Sequence, residues 1–251
     1  MKPSLKEFCQ KFNISESEIV KKKCFSEFEQ LIMIKKTWKN LEYIKNPTEY
    51  VQLEAAKQNG YAIQLIKNPS EEVQLAAITQ NIEVIRYIKN PTEAVQLAAI
   101  KYIALSFEFI NNPTEKAKLA AVKKEGYTIR YIDKPSDKLK LLAVKQNGGL
   151  IQFIHNPTEK IKLAAVKQDA FSIRYIKNPS AAVQLAAITK NIHSLKWIKN
   201  PTEEVQLAAV TQNPYAIIYI ENPSGAVMEE VISKNKEFLK YFKEEWFSSR
   251  T

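Results

Sequence analysis

A proline recurs every 22 residues along most of the chain, and this period constrains the fold more than any other feature of the sequence. Numbered from its proline as position 1, a typical unit reads PTEEVQLAAVTQNPYAIIYIEN (201–222). A fixed period of this length is typical of repeat proteins, in which each unit packs only against its neighbours. The spacing is constant over all the prolines that mark it: Pro47, Pro69, Pro91, Pro113, Pro135, Pro157, Pro179, Pro201 and Pro223.

The start of each unit carries signals for the beginning of an α-helix. An asparagine at position 22 precedes Pro-Thr/Ser-Glu in most units, as at Asn46, Pro47 and Glu49. These residues predict an N-cap asparagine, a proline in the first helical position and a glutamate that reaches back to the cap amide in a capping box. The alanines, together with a proline in every unit, disfavour β-structure.

An asparagine at position 13 marks the end of the helix in most units. We expect a helix of about twelve residues that stops at Asn59-Gly60, because asparagine and glycine tolerate a positive φ. The rest of the unit has room for a short α- or 3-10 helix with an apolar pair such as Ile63 and Ile66. Each unit is therefore predicted to contain one long and one short helix.

The long helix carries apolar residues on two opposite sides. Positions 5 and 9 (Val73 and Ala77) fall on one side, and positions 7 and 10 (Leu75 and Ile78) fall nearly opposite. Because a helix with two apolar sides needs a neighbour on each, the units must stack in one dimension. The sequence therefore predicts an all-α superhelical solenoid of about nine tandem repeats, with an alanine at position 9 for close helix packing.

The predicted solenoid has three parts. Residues 1–46 form an N-terminal cap with a divergent repeat, in which LEYIKN keeps the later half of the pattern. Residues 47–222 form eight regular repeats, called repeats 1–8 from here on. Residues 223–251 form a divergent capping repeat and a C-terminal tail, since terminal repeats need a polar outer side.

The run NPTEEVQLAAVTQNPYAIIYIEN (200–222) resembles the leucine-rich repeat variant family, which alternates an α-helix with a short 3-10 helix. The stretches VQLAAVTQN and LAAVKQ also resemble repeats of unknown function in bacterial, phage and giant-virus proteins. The resemblance covers about residues 40–244 and implies a right-handed superhelix. This chain departs from the variant family by a slightly shorter unit, by Gln or Lys where that family often has Arg, and by lacking the cysteine cluster that holds an iron–sulfur centre in one member.

No combination of residues in the sequence is typical of a catalytic or metal-binding site. The two histidines, His155 and His193, occupy different repeat positions, and no Cys/His spacing typical of zinc occurs. The five glycines form neither a phosphate-binding loop nor a nucleophile elbow. Cys9 and Cys24, the only cysteines, are expected to be packed or inert thiols. We therefore expect no enzymatic activity, no metal, no cofactor and no small-molecule substrate.

Composition favours a cytoplasmic protein that does not interact with membranes. Hydrophobic residues make up 45% of the chain and charged residues 25%, which is ordinary for a soluble globular protein. No apolar run approaches the roughly 20 residues needed to cross a bilayer. The N-terminal MKPSLKEFCQKFN lacks the apolar core of a signal peptide, and two cysteines provide no disulfide framework.

The net charge of +10 is concentrated in repeats 4–6. Residues 113–178 contain 14 basic and 6 acidic residues, whereas residues 47–112 contain 5 and 7. These three repeats have lysine at positions 4 and 11, and also at position 6, where the flanking repeats have glutamine. Because position 6 is always polar, we expect it to line the open face of the long-helix layer. A focused basic field attracts acidic partners or phosphates, although such a surface can also serve solubility alone.

Repeat 3 departs from the others, because KYIALSF (101–107) replaces the asparagine stop with apolar residues. Either the long helix continues through this segment, or Tyr102, Ile103 and Phe107 belong to an exposed apolar contact site.

An aromatic row at position 19 has two interpretations. RNA-binding solenoids stack one base per repeat on such side chains, whereas a packing ladder in the short-helix layer would need no ligand. The exchange among Tyr, Phe and Trp favours packing. The row consists of Tyr43, Tyr87, Phe109, Tyr131, Phe153, Tyr175, Trp197 and Tyr219.

The sequence therefore favours a non-enzymatic scaffold that binds a protein partner with an acidic surface, since solenoids provide extended binding surfaces. The resemblance to phage and bacterial repeats implies an inhibitor or adaptor. The alternative is a nucleic-acid backbone binder that uses the basic patch of repeats 4–6. The predicted partner-binding residues are Lys116, Lys118, Lys123, Lys138, Lys140, Lys145, Lys160, Lys162, Lys167, Arg130, Arg174, Tyr102, Ile103 and Phe107.

Overall fold

The computed structural model describes residues 25–234, and within this range every regular element is a helix. One ten-residue α-helix and one six-residue 3-10 helix alternate, so the predicted all-α repeat is confirmed. The α-helices are α1 (Glu27–Lys36), α2 (Glu49–Gln58), α3 (Glu71–Gln80), α4 (Glu93–Tyr102), α5 (Glu115–Lys124), α6 (Asp137–Gln146), α7 (Glu159–Gln168), α8 (Ala181–Lys190), α9 (Glu203–Gln212) and α10 (Gly225–Lys234). The 3-10 helices are η1 (Trp38–Tyr43), η2 (Gly60–Leu65), η3 (Ile82–Tyr87), η4 (Ala104–Phe109), η5 (Gly126–Tyr131), η6 (Gly148–Phe153), η7 (Ala170–Tyr175), η8 (Ile192–Trp197) and η9 (Pro214–Tyr219).

The chain divides into two compact units, the first ending at Ala117 and the second beginning at Lys118. In the first unit, α1 to α4 pack side by side in one layer and η1 to η4 in another. In the second unit, α6 to α10 and η5 to η9 form the same two layers. Each unit is thus a helical-repeat solenoid. The predicted N-terminal cap before residue 25, with Cys9 and Cys24, and the tail after residue 234 lie outside the described residues.

The core of each unit lies between its two layers. Positions 5, 9 and 10 of the α-helix face it, as do positions 17 and 20 of the 3-10 segment, where Ile63 and Ile66 are buried. Position 7 is only half-buried in most repeats, as at Leu75. The alanine at position 9 has no exposed surface in any regular repeat, because neighbouring helices close over it. These alanines are Ala55, Ala77, Ala99, Ala121, Ala143, Ala165, Ala187 and Ala209.

The N-cap of the α-helix lies at position 2, so the prediction of an N-cap asparagine at position 22 is wrong. Thr48 has an extended backbone, and its hydroxyl accepts a hydrogen bond from the Val51 amide at 3.4 Å. Asn112 and Asn156 at position 22 instead have φ of 49° and 48°, a left-handed conformation that asparagine tolerates better than most residues. The chain therefore turns sharply before the proline, and the helix starts after it.

The glutamate at position 3 is consequently the first helical residue rather than the third. There it acts through its charge at the positive end of the helix dipole. The predicted capping box is found instead in the divergent repeat, where Ser26 and Glu29 bond each other's backbone amides.

The end of the α-helix also differs from the prediction of a stop at positive φ. Asn59 has φ of −157°, and among the described residues no glycine has a positive φ. Asn59 serves as the N-cap of η2, since its side-chain oxygen accepts a hydrogen bond from the Tyr61 amide at 2.9 Å. A Cβ on Gly60 would lie 2.5 Å from the carbonyl oxygen of Ala77 in the next repeat. Glycine is needed here because two repeats approach closely.

Two adjacent glycines in repeat 5 test this explanation. Gly148→Ala would drive a Cβ into the carbonyl oxygen of Ala165 in the next repeat, whereas a Cβ on Gly149 meets only the Asn147 side chain. We expect Gly148→Ala to lower the free energy of unfolding by about 1–3 kcal/mol and Gly149→Ala to change it much less. Urea denaturation of both variants measures this, and equal losses would contradict the close-approach explanation.

Position 6 lies inside the fold, which corrects the prediction that it lines the open face. Gln74, Gln96, Gln184 and Gln206 are buried. The amide of Gln96 donates to the carbonyl oxygen of Pro91 at 2.9 Å, and its oxygen accepts from the Thr114 amide of the next repeat at 2.9 Å. We call this pair of hydrogen bonds the glutamine bridge, since it joins one repeat to the next.

The glutamine bridge also occurs at Gln206 and Gln30, whereas the buried side-chain oxygens of Gln74 and Gln184 have no hydrogen-bond partner among the described residues. Gln206 bonds Pro201 O at 3.0 Å and the Ser224 amide at 3.2 Å. In the divergent first repeat, Gln30 bonds Phe25 O at 2.9 Å and accepts from the Thr48 amide at 3.2 Å. Residues 25–46 therefore form a true repeat even though they lack the proline.

The glutamine bridge predicts a large loss of stability on removing one side chain. Gln96→Ala leaves two backbone groups at the repeat junction without partners, at a cost of about 2–3 kcal/mol. The exposed Gln64 at position 18 is the matched control, and Gln64→Ala should cost less than about 0.5 kcal/mol. Thermal and urea unfolding of the two variants compare them. A loss for Gln96→Ala as small as that for Gln64→Ala would show that the bridge contributes little.

Candidate functional site

The predicted partner-binding residues fall into three groups in the structure. Lysines at positions 4 and 11 are exposed on the α layer, while those at position 6 lie half-buried beneath it. Arg130 and Arg174 belong to the 3-10 layer of the second unit. Tyr102, Ile103 and Phe107 belong to the first unit.

In repeats 4–6 a lysine stands at position 6 in place of the glutamine of the other repeats. These lysines, Lys118, Lys140 and Lys162, are all half-buried. The Lys140 side chain is only 15% exposed, and its ammonium lies 3.4 Å from the Asp137 carboxylate. Because an ammonium donates hydrogen bonds but accepts none, lysine cannot bond the backbone amide of the following repeat as glutamine does. These three lysines are therefore variations at a structural position, and the prediction that they lie on an open face is wrong.

Restoring glutamine at position 6 should stabilise the second unit. Lys140→Gln and Lys162→Gln each remove a half-buried ammonium and offer the acceptor that Gln96 and Gln206 present to the next repeat's amide, worth about 0.5–1.5 kcal/mol, and Tm should rise by a few degrees. Lys138→Gln with Lys160→Gln removes the same charge from exposed positions and should leave Tm nearly unchanged. Calorimetry distinguishes the two pairs, and equal Tm values would contradict the role assigned to position 6.

The exposed lysines border an apolar groove between α6 and α7 in the second unit. The groove has a volume of about 600 Å³, with leucine and alanine as its apolar lining. In α7 the sequence K-I-K-L-A-A-V-K puts lysines at positions 4 and 11 and these apolar residues at positions 7 and 8, so all four share one side of the helix. We call this feature the lysine groove, lined by Lys145, Lys160, Leu163, Ala164, Lys167 and Gln168.

The charges of the lysine groove are not neutralised by the chain around them. Within residues 25–234, Lys145, Lys160 and Lys167 form no ion pair, and neither do Lys123 and Lys138 on the same layer. These ammonium groups are therefore available to an acidic partner.

The groove between α1 and α2 in the first unit provides a comparison. Its volume is similar, about 510 Å³, but its lining includes Tyr50 at position 4 and Glu54 at position 8. Glu54 pairs with Lys57 at 2.9 Å. The open groove thus follows from helix stacking, whereas its unpaired basic lining distinguishes the lysine groove from the groove between α1 and α2.

Lys116, at position 4 of repeat 4, differs from the other predicted lysines because it has a partner. Its ammonium donates to the Glu93 carboxylate at 2.7 Å. The hydrogen bond from Lys116 holds the pKa of Glu93 below its ordinary value, and the same bond raises the pKa of Lys116. Lys116 is therefore charged and already partnered by its own unit.

Repeat 3 keeps the ordinary helix length, since α4 ends at Tyr102. The predicted continuation of the helix is wrong. Tyr102, Ile103 and Leu105 are exposed by 56%, 47% and 44%, so an apolar surface is present here. Phe107 is only 2% exposed because it occupies core position 17, and its assignment to a contact surface is wrong.

The aromatic row at position 19 contacts the preceding repeat within each unit. The Arg130 guanidinium lies 5.5 Å from the Phe153 ring centre, and the Arg174 guanidinium lies 5.9 Å from that of Trp197. The Tyr127 and Phe153 rings meet edge to face at 5.4 Å. These contacts make the row a cation–aromatic packing ladder. They also place Arg130 and Arg174 in that ladder rather than in the lysine groove.

Metal-binding groups are sparse in the structure. In the described part of the chain, no three His, Cys, Asp or Glu side chains come together in a way that could hold a metal ion. His155 and His193 are both exposed, and His193 Nδ1 lies 3.2 Å from the Tyr219 hydroxyl. No helix in residues 25–234 is long and apolar enough to cross a membrane.

Comparisons with protein-family models, curated proteins and solved structures found no match to this chain. The resemblance to the leucine-rich repeat variant family therefore stays a prediction from the sequence.

The sequence pattern did not identify the apolar lining of the groove. The sequence pattern predicts that leucine at position 7 lies at the interface between stacked repeats and is fully buried. The available signal was the i, i+3, i+4, i+7 spacing of lysine, leucine, alanine and lysine, which puts an apolar strip between two charges on one side of a helix.

Proposed function

We propose that this chain is a non-enzymatic scaffold that binds a protein partner with an acidic surface. The lysine groove carries the proposal, because three unpaired lysines surround an apolar floor. Desolvated apolar contacts inside a charged rim are typical of protein–protein interfaces. A nucleic-acid backbone would satisfy the lysines but would bring no apolar side chain to Leu163 and Ala164.

The wider biological setting is also part of the proposal. The residues brought together in the groove are lysines, leucine and alanine, which supply attraction and packing rather than acid–base or nucleophilic chemistry. An inhibitor or adaptor of phage or bacterial origin fits such a binding role, as the resemblance to those repeats implies. A cytoplasmic location fits a chain with two cysteines in 251 residues.

A charge-change variant tests the proposal with residues that other repeats already carry. Lys160→Glu copies Glu72 and Glu204 at position 4, and threonine at Lys145 and Lys167 copies Thr79 at position 11. The triple variant should keep the wild-type Tm, since exposed charges contribute little to stability. In affinity capture from nuclease-treated lysate, it should lose the protein that wild type retains, and wild-type binding should weaken as salt rises.

The control variant changes three exposed lysines at position 21, with Lys67→Thr, Lys89→Thr and Lys199→Glu. This control changes the net charge by the same amount as the groove variant does, and it should retain the partner. Retention of the partner by the groove variant would contradict the proposed function. Capture that nuclease treatment abolishes would indicate the nucleic-acid alternative, as would a log–log salt slope that falls by about one for each lysine removed.

A further inference from the structure

The lysines and the apolar residues of the groove have a regular spacing. Lys160 and Lys167 are seven residues apart on α7, which corresponds to about 10.5 Å along the helix axis. Leu163 and Ala164 lie between them in sequence and on the same side, and both are half-buried. Lys145 approaches from α6 on the opposite wall. An occupant of this groove therefore meets an apolar strip with a lysine at each end, two helical turns apart, and a third lysine on the opposite wall.

The groove has the dimensions and the chemistry for a helix. Two neighbouring helices leave a channel in which the side chains of a third helix can pack, with axes about 8–10 Å apart. An extended peptide that binds by adding a strand to a sheet would need a free strand edge, and residues 25–234 contain no strand. A polyproline segment docks against aromatic side chains, and none lines this groove. We infer that the partner places an acidic amphipathic helix in the lysine groove, an inference that rests on the proposed function.

The inference specifies the pattern of the partner helix. Apolar residues at i, i+3 or i+4, and i+7 form the stripe that covers Leu163 and Ala164. Two carboxylates seven residues apart on the flank that faces α7 match the spacing of Lys160 and Lys167, and a carboxylate on the other flank faces Lys145 on α6. Because alanine is small, the floor at Ala164 accepts a large apolar side chain of the partner.

Helices further along the second unit do not repeat this arrangement. In α8, positions 4 and 11 are Ala182 and Thr189, and in α9 they are Glu204 and Thr211. A neutral or acidic rim does not attract the carboxylates of the partner helix. The partner helix is thus selected by charge at α6 and α7.

Two synthetic peptides of about 18 residues, or five helical turns, test the inference on the full-length protein. The first has a leucine stripe flanked by glutamates, and the second has the same composition with the leucines dispersed around the helix. Fluorescence anisotropy should show the patterned peptide binding at least about tenfold tighter, since only it presents leucines to the apolar strip. Equal affinities for the two peptides would overturn the inference.

The floor of the groove is tested by Ala164→Glu, which puts a carboxylate at position 8, where repeat 1 already carries Glu54. The patterned peptide should bind at least about tenfold more weakly to this variant. Ala76→Glu, at the same position of α3 in the first unit, is the matched control and should bind like wild type. An unchanged affinity of Ala164→Glu for the patterned peptide would overturn the inference.

Failure of the inference can be distinguished from failure of the proposed function. Equal peptide affinities, together with a captured protein that still depends on the lysines, would mean that an acidic surface is recognised by charge alone. In that case the inference of a partner helix is wrong, whereas the proposed scaffold function is not contradicted. Tighter binding of a single-stranded oligonucleotide than of either peptide, with affinity lost in the groove variant, would overturn both.

Discussion

Hydrogen bonds between glutamine side chains and the backbone of a neighbouring repeat fix the register of the two repeats that they join. Apolar burial alone would let one helix slide along the next, but a buried amide N–H can donate its hydrogen bond only to an oxygen at the correct place. Gln96 supplies this oxygen to the following repeat, and Gln80, at position 12, supplies one to the Gly60 amide of the preceding repeat at 2.6 Å. The position-6 bridge therefore points forward and the position-12 bridge points back. Among the described residues, the forward bridge occurs at Gln30, Gln96 and Gln206 and the backward bridge at Gln80, Gln146 and Gln168, so each fixes the register of the junction where it occurs.

Repeats 4–6 replace the position-6 glutamine with lysine and concentrate positive charge in the same stretch of chain. Lysine at position 6 cannot accept the next amide, yet the same three repeats also carry lysine at positions 4 and 11. Lysines that served solubility alone would be needed only at the exposed positions 4 and 11 and not at the half-buried position 6. Loss of stabilising groups is expected where a surface is shaped for binding instead of stability. The coincidence of half-buried lysines at position 6 with the unpaired Lys145, Lys160 and Lys167 therefore supports a functional role for this part of the second unit.

Periodicity revealed the repeat, the helix types and the core positions, because a proline every 22 residues and a recurring alanine are local and repeated signals. Local signals failed where the partner of a group lies in another repeat. Nothing near Gln96 in sequence shows that its oxygen meets the Thr114 amide, so a polar residue was predicted to be exposed. Asn46 and Thr48 are both good N-cap residues, and only the structure shows that the Thr48 hydroxyl accepts the hydrogen bond from the Val51 amide. The groove lining was missed because half-buried and fully buried leucines look alike in sequence.

The lysine groove is a better binding surface than the aromatic ladder, because its walls are held in place while its charges are free. The ladder's arginines already lie against rings of their own unit, so a ligand would have to displace them. In the groove, the Gln168 side chain accepts from the Gly148 amide at 2.6 Å and donates to the Gln146 carbonyl at 3.2 Å. This backward bridge ties α7 to the end of α6 even though the forward bridge is absent. Rigid walls lower the entropic cost of binding, so the affinity of a partner depends on its fit to the leucine, the alanine and the lysines of a preformed groove.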